Sequence, residues 1–385
     1  MKPEMDSFSR FGGGPFQVVL RKIGASGVGA RIVLILAFCW LPLALLTALQ
    51  GTLLGESVRV AFLEDVVVQT RLLLVMPLLL AAEAVIVPRL RGPADQFARY
   101  NLIAAADEPA FDAAVSETRR RRENLLAEVL ALLALALLGL FEPRTELYGP
   151  LSTWKMLLMP SGLEHTPAGW WHSLLSLPVY RFLLLRWLWR YLLWARFLWR
   201  LSRLGLRLEP IHPDRMGGLG FLPKGQAAFA SIVFAFSCSF AGGVAGRILH
   251  AGESFRANWT VSSVFMVLNA ALVLLPLFVF IPRLASVKRR GLQEYGALSS
   301  RYALSFEGRW LRGQPLREDF LGTGDIQSLA DLDATFQNIR AMRVVPLDLA
   351  LIKVLVLAAF LPLLPLLLTE LPLVEILKRL AGVLL

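Results

Sequence analysis

Between Ser173 and Arg207 the chain is apolar and aromatic for long enough to cross a bilayer, yet it carries Arg181, Arg186, Arg190, Arg196, Arg200, Arg203 and Arg207. No protein environment removes the charge of a guanidinium group. Arg186 and Arg190, nearest the middle of the run, therefore require carboxylates, backbone carbonyls, water or an anion around them. Arg181 can extend outward to the interface, and the arginines from Arg196 onward lie where positive charge ordinarily marks the cytoplasmic end of a span.

The rest of the chain demands the same solvent. Of 385 residues 56% are hydrophobic and only 18% charged, with a mean hydropathy of +0.58, too apolar for a soluble globular protein of this length. Apolar runs at Ile32 to Gln50, Leu72 to Val87, Leu125 to Phe141, Ala227 to Leu249, Val261 to Ile281 and Leu347 to Leu368 join the arginine-bearing run. The expected architecture is an all-α polytopic transmembrane helical bundle of about seven spans with cytoplasmic helical extensions.

The formal charge of +11 sits on alternate loops. That pattern is the topological one, so it calls for no nucleic-acid partner, and it sets the amino terminus in the cytoplasm of a bacterial cell with the protein in the inner membrane. Residues 1–31 form a cytoplasmic segment and 32–282 the first six spans. A cytoplasmic helix around 107–124 continues into the third span, 283–346 form cytoplasmic helices, and 347–385 hold the last span and an interfacial segment. Trp154, Trp170 and Trp171, in the loop after the third span, have the composition of a headgroup-level segment.

Depth along the spans brings Glu83, Glu128 and Lys353 to the layer of Arg186 and Arg190. Two arrangements satisfy this layer: a buried ion cluster that pins helix register, or an arginine-lined route that is wetted and attracts small inorganic anions. The steps between arginines are looser than the every-third repeat of a voltage sensor, and no acid ladder faces them. Gly242 and Gly246 have the spacing of a close helix contact, and Asn269 is a lone polar group suited to an interhelical hydrogen bond. Cys39 and Cys238 lie in apolar spans without His or Cys partners in the spacing of a metal site, and no cofactor motif is present.

After the arginine helix, Pro210 to Leu222 contains two prolines and the glycines Gly217, Gly218 and Gly220, whose successive amides are suited to an anion nest beside His212 and Arg215. With Lys288, Arg289 and Arg290 these form the expected cytoplasmic contact for anionic lipid headgroups. The phrases His212 to Leu222 and Gly324 to Leu332 resemble patterns in uncharacterised bacterial multi-pass inner-membrane proteins. That resemblance implies membrane location and carries no activity with it.

The leading functional expectation is a homo-oligomeric channel or transport protein with an anion-favouring pathway lined by Arg186, Arg190 and Arg181. The alternatives are a non-conducting membrane sensor or scaffold binding a cytoplasmic partner or anionic lipid, and a lipid-modifying enzyme using His212 and Asp214. The last lacks a complete catalytic constellation.

Overall fold

Backbone surrounded by hydrocarbon must satisfy its own polar groups, and here it does so almost entirely as α-helix. The computed structural model describes residues 22–25, 27–55, 58–122, 124–140, 153–160, 162–312 and 324–367. In chain order the principal helices are α1 (Val28–Leu49), α2 (Val66–Arg99), α3 (Glu108–Arg122), α4 (Leu125–Leu140), α5 (Leu177–Arg203), α6 (Leu222–Ala251), α7 (Phe255–Trp310), α8 (Gly324–Arg340) and α9 (Leu349–Leu367). Five of them, α1, α2, α6, α7 and α9, are long and apolar enough to cross a membrane. The interfacial segment expected at 369–385 lies outside the described residues.

The expected continuous rod from Asp107 into the third span is instead two helices. The chain leaves helical geometry at Asn124, between α3 and α4. Among the described residues α4 covers 16, about 24 Å of helix. The arginine-bearing α5 has 27 residues, about 40 Å, which is ample length, and its charges alone separate it from the five apolar helices.

α5 is the centre of the bundle, packing on α2, α3, α4 and the 3-10 stretch Leu275–Phe280 within α7. α6 forms a second centre, against α2, α7 and α9. A Cβ on Gly242 would stand 2.8 Å from the Cβ of Thr70, so this glycine serves a contact between α6 and α2 inside the protomer. Gly246 is buried on the same helix. Asn269 on α7 donates from Nδ2 to the Val233 carbonyl and to Ser237 Oγ on α6, both at 3.1 Å.

Prolines within helices release carbonyls, and aromatic donors take them up. Pro42 has no N–H to offer Phe38, whose carbonyl accepts from Trp171 Nε1 at 3.3 Å. Pro276 likewise has no N–H for the Leu272 carbonyl, which accepts from the Leu275 amide and from the Tyr191 hydroxyl of α5. These bonds tie α5 and the turns preceding it to α1 and α7 where an unsatisfied carbonyl in hydrocarbon would be costly.

Beyond its 3-10 stretch, α7 continues as a long amphipathic helix against which α8 packs. Asp325, at the start of α8, accepts from Trp310 Nε1 at 3.1 Å and pairs with Arg309 at 3.1 Å, closing the hairpin. The single strand pair among the described residues, β1 (Met156–Met159) with β2 (Gly162–His165), is antiparallel. Trp154 is wholly buried within the protein, and its indole donates to Asp65 at 3.0 Å.

Candidate functional site

Two polar centres stand out, one within the bundle and one at its end. In the first, Arg190 on α5 pairs through Nη2 with Glu83 Oε1 on α2 at 2.7 Å. Arg186 lies 3.7 Å from Glu83 Oε2 and pairs through Nε with Glu128 on α4 at 3.4 Å. Both arginine side chains are at most 10% exposed. The Arg190 guanidinium also lies 5.2 Å from the Trp187 ring centroid. A cavity of about 20 Å³ beside Arg190 and Arg122 has room for roughly one water.

Arg181 is half-buried near the start of α5. Lys353 does not join this layer. It is exposed on α9, which packs on α6 and α7 and so stands away from the arginines at similar depth. A further cluster escaped the sequence reading: Glu117 on α3 gathers Arg121 at 2.8 Å, Arg196 at 3.2 Å and Arg200, clamping α3 to the end of α5.

At the far end of α2 from these spans, Asp65 is buried with Lys155 Nζ at 3.1 Å. Burial pushes its carboxyl up, but the Lys155 charge and hydrogen bonds from the Val68 amide and the Trp154 indole outweigh it and hold the group below the usual aspartate range.

The second centre is the elbow between α5 and α6. Residues 205–207 pair with 102–104, as in the bond from Arg207 N to the Leu102 carbonyl at 2.7 Å, and so fix where the elbow starts. The chain then turns around Asp214. Its Oδ1 accepts from the amides of Met216 at 2.7 Å and Gly218 at 3.2 Å, and its Oδ2 accepts from Gly220 N at 2.7 Å. Gly217 and Gly218 adopt φ of +64° and +95°, and a Cβ on Gly220 would lie 2.8 Å from that of Asp214. The expected anion nest is therefore already filled by the chain's own carboxylate. His212 Nδ1 accepts from the Asp214 amide at 3.3 Å and lies 2.8 Å from Oδ1 of the same residue.

Arg215 follows Asp214 with φ of +55°, a conformation that costs a non-glycine residue about 1–2 kcal/mol and is kept here by the turn around it. Its carbonyl accepts from the Arg343 amide at 2.7 Å, bringing the segment after α8 to the elbow. Between them opens a cavity of about 690 Å³, within the usual range of small-molecule sites. Arg89 of α2, Lys224 of α6, Arg215 and Arg343 line it, all four exposed. The carboxylates in its wall are Asp214, committed to the elbow amides, and Asp348, which accepts from Ala350 N at 3.3 Å.

The cavity also gathers the ends of three apolar helices: Arg89 follows the apolar part of α2, Lys224 lies in the first turn of α6, and Asp348 caps α9. Tyr100 and Phe221 add aromatic surface at this level.

Of the basic residues expected at this face, only His212 and Arg215 reach the cavity. Lys288 instead donates to the Met342 carbonyl at 2.7 Å, Arg289 is exposed, and Arg290 stands 3.8 Å from Glu294 on the same helix. Arg89, Lys224 and Arg343 were missed. Their signal was position: each lies close to the boundary of an apolar run, though nothing local says that those boundaries meet. No protein-family model, curated protein or solved structure matches the chain.

Proposed function

We propose that the chain is a non-conducting membrane sensor or scaffold that recognises an anionic lipid headgroup in the elbow cavity. The observation that carries this reading is the convergence of Arg89, Arg215, Lys224 and Arg343 on one cavity at the ends of three apolar helices. Guanidinium groups there can meet a phosphate in bidentate fashion, and the adjoining apolar helices offer room for acyl chains. The asymmetry of Lys and Arg between loops supports a bacterial inner-membrane location with this face cytoplasmic. Counting α4 and α5 with the five apolar helices gives seven crossings.

On this account the hairpin of α7 and α8 is the extension that meets a cytoplasmic partner. Anion conduction stands second. A homo-oligomeric pathway would require Arg186 and Arg190 to leave Glu83 and Glu128 and become wetted.

The test is lipid retention. After exchange into bilayers of phosphatidylglycerol and phosphatidylcholine, gentle extraction and native mass spectrometry should find the anionic lipid bound to the wild type. Arg215→Ala with Arg343→Ala should weaken it about thirtyfold, from about 1 kcal/mol per basic group. Retention unchanged in the double variant would remove the proposal, as would chloride-selective current from the wild type in planar bilayers.

A further inference from the structure

The four cations of the cavity fall into two pairs. A Cβ on Gly225, the neighbour of Lys224, would stand 2.5 Å from Pro93 Cγ and 3.6 Å from the Arg89 carbonyl oxygen, so the turn that carries Lys224 rests directly on the turn that carries Arg89. Arg215 and Arg343 form the other pair, joined by the 2.7 Å bond between their backbones. One pair belongs to the helical side of the cavity and the other to the elbow side. Arg343 also donates one N–H to the Leu347 carbonyl at 3.1 Å, and among the described residues none of the four cations has a carboxylate within ion-pair distance.

Against these four stand two carboxylates in the lining, Asp214 and Asp348, and both already accept from backbone amides. The excess is two positive charges before His212 is counted. A ligand with a single phosphodiester carries one negative charge, so it answers one pair and leaves the other uncompensated. Volume points the same way. The five heavy atoms of a phosphate, at roughly the 30 Å³ that a water takes in the liquid, fill about 150 Å³ of a cavity of about 690 Å³.

Resting on the headgroup reading above, we infer that the cavity takes a ligand with two phosphates joined by a short polyol, whose lipid form is the diphosphatidylglycerol headgroup of cardiolipin. One phosphate lies on Arg215 and Arg343 and the second on Arg89 and Lys224. The pairs stand on different elements, so the phosphates need a linker between them. The two guanidinium forks of the elbow side grip the phosphate of any anionic lipid in bidentate fashion. Arg89 and Lys224 then decide between one phosphate and two.

The experiment titrates cardiolipin and phosphatidylglycerol onto the purified full chain, read by native mass spectrometry, with glycerol bisphosphate and glycerol monophosphate as soluble competitors. The wild type should bind cardiolipin about thirtyfold more tightly than phosphatidylglycerol, the scale of two further basic groups engaged. Arg89→Ala with Lys224→Ala, both exposed positions, should weaken cardiolipin about thirtyfold, to the level of phosphatidylglycerol, and change phosphatidylglycerol by less than about threefold. Arg89→Lys with Lys224→Arg keeps both charges and should keep the preference.

Equal binding of the two lipids by the wild type would overturn the inference, as would a preference that survives in Arg89→Ala with Lys224→Ala. Displacement of cardiolipin by millimolar glycerol bisphosphate, with the monophosphate far weaker, would assign the two-phosphate site to a soluble ligand, and failure of both to displace would assign it to the lipid. Arg215→Ala with Arg343→Ala should lower binding of both lipids together. If it changes neither, the headgroup reading itself fails, whatever Arg89 and Lys224 do. If it weakens both while the wild type shows no preference, that reading stands and the second phosphate position falls.

Discussion

Glu83→Ala should destabilise the protein by about 3–5 kcal/mol, the cost of removing one partner from a buried ion pair. Glu83 pairs with Arg190 at 2.7 Å and lies 3.7 Å from Arg186. Its loss takes a carboxylate from two largely buried guanidinium groups, and neither can shed its proton to escape the penalty. The measurement is unfolding of the full chain in a mild detergent, by heat or by a graded denaturing detergent. Glu83→Ala combined with Arg190→Ala should recover part of the loss, because the charge left uncompensated is then removed. A single variant as stable as the wild type would mean that this layer is hydrated.

The second large effect belongs to Asp214→Ala. Three amides lose their shared acceptor, and hydrogen bonds to a charged group contribute about 1.5–3 kcal/mol each before water replaces them. With partial replacement by water, a net cost of about 3 kcal/mol is expected. It should fall locally, since Arg215 would lose the turn that holds it at positive φ. Amide exchange over residues 210–222 should rise sharply while α5 and α6 stay protected, and anionic lipid retention should fall with it. Uniform destabilisation of the bundle without loss of elbow protection would contradict the assignment of Asp214 as the organiser of this loop.

The apolar runs were legible as helices because length and hydropathy alone decide the matter for backbone in hydrocarbon. Pairing of Arg186 and Arg190 with Glu83 and Glu128 was legible by depth, since permanently charged groups in apolar surroundings have few admissible neighbours. Lys353 shows where that reasoning stops. Depth gives the height of a residue in the bundle but not its direction around the axis, and α9 packs on α6 and α7 with Lys353 exposed. The break at Asn124 was hidden because charged α3 and apolar α4 are each good helix by pattern.

The elbow illustrates a different limit. Gly217, Gly218 and Gly220 were rightly read as a backbone path rich in free amides, but Asp214 stands close enough in sequence to fill it, as Asx turns do. The cavity was not legible at all from local sequence, because its walls come from Arg89, the elbow and Arg343, segments widely separated along the chain.

The central claim is that the cationic elbow cavity holds an anionic headgroup. A single-particle map of the wild type in phosphatidylglycerol nanodiscs tests it most directly. The account predicts phosphate density within hydrogen-bond reach of Arg215 and Arg343, with acyl chains leaving along the adjoining apolar helices. Phosphatidylglycerol resolved elsewhere on the protein, with only solvent between these two arginines, would contradict it.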